Sequence, residues 1–234
     1  MNWHFIIQKF ANGFYTEPVM HVAALLVVAA FVAKRKRSWP LFFLAAVAAA
    51  SFIQGVLVVY DEQPPGSLLG KNVERGTVYC FLIIELTCCL SFIVAYLQSV
   101  PIKKTLFISG AVFTLYTLSY GYFHLASRFY PLHITISESV LIVAGALCYF
   151  YELFRHKPTL HLAKEPAFWA ISGMLITYSA LIPLFLIFNY IRFSAPNLTH
   201  KLFAINNMSY SLLFITFFVA IQLTGKNKHL FSSI

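Results

Sequence analysis

The sequence predicts an all-α polytopic membrane protein, a seven-transmembrane-helix bundle with its N-terminus outside and its C-terminus in the cytoplasm. Three observations predict this. First, 59% of the 234 residues are hydrophobic and only 11% are charged, where soluble domains carry about 25% charged residues. Second, the apolar residues fall into seven runs close to the roughly 17–25 residues that a helix needs to cross a hydrocarbon core about 30 Å thick. Third, the basic residues gather in short connections on one side.

The elements follow in order. Residues 1–15 carry Trp3, Phe5, Phe10 and Phe14. They lack the basic start, apolar stretch and small-residue cleavage site of a removable signal, so an interfacial segment is expected there. Helix 1 is expected over 16–33 and helix 2 over 40–60, where Ala45, Ala48, Ala49, Phe52 and Gly55 form a row that permits close helix approach. Helix 3, expected over 77–99, contains the run CFLIIELTCCL with Glu85 inside it. Helices 4 and 5 are expected over 104–125 and 134–154. Helix 6 spans 167–191, opened by Pro166, whose missing N–H suits a first turn. It carries Gly173, Thr177 and Ala180 at helical spacing, and Pro183 removes one backbone donor and predicts a kink. Helix 7 is expected over 202–224, and 225–234 form a short tail. The seven helices over 16–224 make one transmembrane domain.

Orientation comes from the basic residues. Lys34, Arg35, Lys36, Arg37, Lys103, Lys104, Arg155, Lys157, Lys164, Lys226 and Lys228 lie on one side, eleven in all, and Lys9, Lys71, Arg75, Arg128, Arg192 and Lys201 make six on the other. The richer side is cytoplasmic. The net charge of +9 is thereby accounted for by membrane orientation, and nucleic acid is not an expected partner. Trp39 and Trp169 fall at the inner interface. The chain is expected to cross its membrane several times.

Depth then sorts the polar residues, at about 1.5 Å per residue. Gln54, Glu85, Tyr120, His124, Glu138, Asn206 and Asn207 all fall in the outer half of the bundle, with His21 at a similar level. A water-accessible cavity open to the outside would offset the several kcal/mol that an intramembrane carboxylate costs. These seven residues are the expected ligand-binding set, although Glu138, one turn inside helix 5, is shallow enough to be simply solvated. Two readings of Glu85 stand side by side, a functional group and a protonated bridge between helices. Glu152 and Arg155, three apart at the end of helix 5, are spaced to pair on one face.

Other chemistry is not supported. Cys80, Cys88, Cys89 and Cys148 all lie in apolar runs and form no C-x-x-C, so they read as small packing residues. Residues 202–224 contain no lysine for a retinal Schiff base. No histidine pair stands at mid-depth for haem, no metal motif occurs within a helix, and no nucleophile elbow or phosphate-cradling loop is present. No cofactor is expected. A Pro–Gln signature of small sugar transporters is also missing.

The stretches YFYELF (149–154), LAKEPAFWAISGMLITY (162–178) and INNMSYSLLF (205–214), with a glutamate in helix 3, resemble a group of uncharacterised bacterial seven-helix inner-membrane proteins. Some of these accompany sensor histidine kinases or share their membrane module. The resemblance lies mainly in the C-terminal half and implies the seven-helix fold and a sensory role. The expected function is accordingly a receptor-like membrane protein that signals through a separate cytoplasmic partner such as a sensor kinase. Two alternatives remain open: a small transporter or membrane enzyme using Glu85 as proton carrier or acid/base, and a scaffold subunit of a membrane complex.

Overall fold

The computed structural model describes residues 16–34, 39–60, 68–124, 132–156, 162–191 and 196–224. The expected interfacial segment 1–15, the tail 225–234 and most of the connecting-loop charges lie outside the described residues. Among those described, the chain forms seven α-helices and no strand. They are α1 (Thr16–Ala33), α2 (Trp39–Tyr60), α3 (Leu68–Tyr96), α4 (Val100–His124), α5 (Leu132–His156), α6 (Pro166–Ile191) and α7 (Pro196–Leu223), with a 3₁₀ turn at Leu162–Lys164 before α6. Five of them, α3 to α7, are long and apolar enough to cross a membrane, while α1 and α2 contribute the shorter apolar stretches Glu17–Ala33 and Trp39–Gly55.

Several helices outrun their apolar segments. α3 begins at Leu68 rather than near 77, α4 at Val100 rather than 104, and α7 at Pro196 rather than 202. Hydropathy marks the stretch that suits a bilayer, but helical backbone continues through polar residues such as Lys71 and Glu74. In α7 the start is set by a proline whose missing N–H falls among the unpaired donors of the first turn.

The helices close into a ring. α1 packs on α2 and α7, α2 on α3, α3 on α5, α5 on α6, and α6 on α7. α3 also reaches α6, so it touches both sides of the ring. α4 stands outside, against α3 and α5. Only 22% of its apolar stretch is buried, against 39–50% for the other four long helices.

In hydrocarbon the association of helices rests on close contact more than on exclusion of water. The α6–α7 seam shows how this is met. A Cβ added to Gly173 would overlap the Thr216 side chain, so the missing side chain is what lets the two backbones approach. The Thr177 hydroxyl, one turn along, donates to the Ser209 carbonyl at 3.1 Å. Phe92, Ile93, Ile171, Met174, Phe214 and Phe217, all fully buried, fill one half of the ring.

At that apolar end two charged side chains tie helix termini. The Lys34 ammonium donates to the carbonyls of Ile221 and of Gln222, the latter at 2.9 Å, placing a cation on the C-terminal turn of α7, where the helix dipole favours it. The Glu152 carboxylate accepts the N–H groups of Gln98 (2.6 Å) and Ser99 (3.0 Å). It thereby caps the start of α4. Arg155 donates to the Tyr151 hydroxyl at 3.3 Å, and the Trp169 indole N–H to the Ala163 carbonyl at 2.9 Å.

Candidate functional site: a polar cavity above a buried carboxylate

The opposite end of the ring, where α1, α3, α5 and α7 begin, holds a cavity of about 390 Å³. α1 supplies Glu17 and His21, α2 supplies Ser51, Gln54 and Gly55, and α7 supplies Asn206, Asn207 and Tyr210. Met20 of α1, Phe81 and Leu82 of α3, Phe185 of α6 and Phe203 of α7 form the apolar part of the wall. The α7 residues share one face because they recur at helical spacing. The α1–α2 wall depends on Gly55, where an added Cβ would fall inside the His21 imidazole. The ring of His21 also meets Phe52 edge-on at 6.0 Å between centroids.

Two buried polar atoms of the wall have no protein partner among the described residues, His21 Nε2 and Asn206 Oδ1. The Asn206 amide N–H donates weakly to Asn207 Oδ1 at 3.4 Å. A buried acceptor without a donor costs about 1–3 kcal/mol, which water or a ligand in the cavity would offset.

Tyr210 connects the cavity to Glu85. Its hydroxyl donates to Glu85 Oε2 at 3.2 Å, and the Tyr178 hydroxyl donates to Oε1 at 2.6 Å. Glu85 is completely buried and Tyr178 nearly so. The two phenol rings meet edge-to-face, 6.5 Å apart, and Cys89 Sγ lies 3.8 Å from the Tyr178 oxygen. One carboxyl of α3 thus joins α6 and α7 through both of its oxygens. Beyond it the described core is the apolar half named above. The polar chain runs from the cavity to Glu85, Tyr178 and Cys89, then meets hydrocarbon.

Glu138 corrects an expectation. It is not solvated but 1% exposed, because the first turns of α5 turn Ile134, Thr135, Glu138 and Ser139 into the bundle together. It lies within electrostatic reach of Glu85, Cys89 and Tyr178, and its Oε1 has no partner among the described residues. It does not line the cavity.

Tyr120 and His124 are placed elsewhere. They stack on each other, centroids 4.0 Å apart and planes 6° apart, on α4, the helix outside the ring. His133 meets Tyr120 edge-on at 4.6 Å, and Tyr116 and Tyr79 adjoin. So of the seven expected residues, Gln54, Asn206 and Asn207 share one cavity. Glu85 lies behind it, Glu138 is buried in the bundle without lining the cavity, and Tyr120 and His124 belong to a separate aromatic cluster. Sequence reasoning missed Tyr210 and Tyr178 as partners of Glu85. The depth of Tyr210, similar to that of Glu85 on an inward-running helix, was the available signal.

Among the described residues no group of three or more His, Cys, Asp or Glu side chains is placed to hold a metal. Comparison with protein-family models, with curated proteins and with solved structures gives no match.

Proposed function

We propose that this chain is a receptor-like, sensory membrane protein whose ligand occupies the polar cavity and whose signal leaves through a separate cytoplasmic partner. In this reading all seven helices span the inner membrane of a bacterium, with the cavity facing outward, since the basic residues favour the opposite side as cytoplasmic. The observation that carries it is the Tyr210 side chain. It forms part of the cavity wall and is bonded to Glu85, which in turn holds Tyr178 of α6. A ligand that bonds differently with Tyr210 biases the packing of α3, α6 and α7 together, which is how an occupied site shifts a two-state element. The apolar half below Glu85 supports a one-ended binding site over a through-going path.

The test is crosslinking of the full chain in its native membrane. A stoichiometric signalling partner on the 34–39, 155–165 or C-terminal basic surfaces is expected, with output altered by Tyr210→Phe while association persists. A second reading, a proton-coupled transporter, draws on the two buried carboxyls, Glu85 and Glu138. Uptake into proteoliposomes that Glu85→Gln abolishes, with no partner found, would establish it in place of sensing.

A further inference from the structure

A second concavity adjoins the first. It is a groove of about 690 Å³ between α2 and α3, floored by Val28 and Phe31 of α1 and walled by Phe42, Ala45, Ala46, Ala49, Ala50 and Ile53 on one side and Cys80 and Ile84 on the other. Gln54 and Phe81 line both the groove and the polar cavity, so the two meet at that pair. The groove opens on the outer surface of the bundle, where Phe42, Ile53 and Ile84 are 40–56% exposed. From Phe42 to Gln54 it follows α2 for about 18 Å at 1.5 Å per residue, slightly more than half of a hydrocarbon core of roughly 30 Å. Each volume falls within the range of small-molecule sites, about 300–1,000 Å³.

We infer that cavity and groove form one site for a single-chain amphiphile with an uncharged or cationic, hydrogen-bonding head. This rests on the reading of the cavity as a ligand site and names the class of its ligand. The head lies among Gln54, Asn206 and His21, and the chain passes between Gln54 and Phe81 into the groove. Asn206 Oδ1 and His21 Nε2, without a partner among the described residues, call for a head with hydroxyl or amine donors. Among the described residues, Glu17 is the one acidic residue of the lining, and no lysine or arginine joins it. A phosphate or carboxylate head therefore finds repulsion where it needs a charged donor, whereas a hydroxyl or ammonium head does not. The alanines of α2 leave the width that a methylene chain fills, and the groove walls carry almost no polar surface to interrupt it.

The test uses the full chain in phosphatidylcholine nanodiscs and radiolabelled 1-monopalmitoylglycerol, read against empty nanodiscs. Two other probes are run beside it: glycerol, which is the head alone, and 1-monopalmitoylglycerol phosphate, which has the same chain and an anionic head. Saturable binding of the first probe is expected, at least tenfold weaker in Asn206→Leu and in Ala49→Trp and unchanged in Val112→Trp on the outward face of α4. The phosphate-headed probe binds at least tenfold more weakly. Occupancy also slows alkylation of the exposed Cys80 several-fold in the unaltered chain, a readout independent of any variant's folding. Non-saturable binding, equal binding of the phosphate-headed probe, or an unchanged Cys80 rate overturns the assignment. Saturable glycerol binding lost in Asn206→Leu and retained in Ala49→Trp overturns the amphiphile while leaving the polar-cavity reading intact. Absence of any saturable binding, combined with uptake that depends on Glu85, removes both.

Discussion

Tyr178 Oη lies 2.6 Å from Glu85 Oε1, inside a helical bundle and out of reach of water. The bond joins α6 to α3 across the middle of the ring, and its counterpart from Tyr210 joins α7 to the same carboxyl. A carboxyl that accepts from two helices specifies the rotation of both, which apolar packing alone would leave looser.

Removing either hydroxyl should therefore destabilise the bundle, and the two losses should not add. Tyr178→Phe is expected to cost about 0.5–1.5 kcal/mol, the net range for an intramolecular hydrogen bond, and Tyr210→Phe less, its bond being longer. Equilibrium unfolding of the single and paired variants with Glu85→Gln checks this. A coupling energy of about 0.5–3 kcal/mol marks the shared network, and strict additivity would argue against it.

Gly55→Ala should distort the cavity by driving the added methyl into His21. Overpacking of this kind costs about 1–3 kcal/mol. His21→Ala removes the obstacle, so the double variant should recover most of the loss. Gly173→Ala and Thr216→Ala should behave as a second such pair at the α6–α7 seam. Gly145→Ala, where an added Cβ would make ordinary contact at 3.4 Å or more, serves as the mild control in the same thermal unfolding series.

Glu152→Ala should loosen α4 without dispersing the ring. Loss of a helix cap costs about 0.5–2 kcal/mol. The effect should be concentrated at the amides of Gln98 and Ser99, whose hydrogen exchange is expected to accelerate while that of the α6–α7 seam is unchanged. Uniform acceleration across all helices would show that the carboxylate does more than cap.

The cysteines should divide by position. Cys80 is exposed along the groove and Cys89 is buried beside Tyr178. A small membrane-permeant alkylating reagent should modify Cys80 first and leave Cys89 untouched until the protein is unfolded, as peptide mass spectrometry would record. Early modification of Cys89 would mean that the Glu85 network opens readily.

Much of the architecture was legible because hydropathy and length are read along the chain. Residues 16–33 became α1 with the same bounds, and 40–60 differs from α2 by one residue. Helix starts in polar sequence, as at Leu68 and Pro196, escaped the same measure. The site was legible in depth but not in rotation. Gln54, Asn206 and Asn207 were placed at one level, and the structure puts them around one cavity. Tyr120 and His124 were placed at that level too, yet nothing in the apolar surface of α4 announces that this helix stands outside the ring. Glu138 was misread for the related reason that its distance from the helix end says nothing of the face it occupies.

The seam between α1 and α7 also orders the protein's assembly. Lys34 grips carbonyls 187 and 188 positions later in the chain, and the cavity wall opposite His21 comes from α7. Until α7 is in place, α1 has only α2 of its two main neighbours, and Glu85 lacks the hydroxyl of Tyr210. Without α7, Glu85 keeps only the Tyr178 hydroxyl of its two phenol partners.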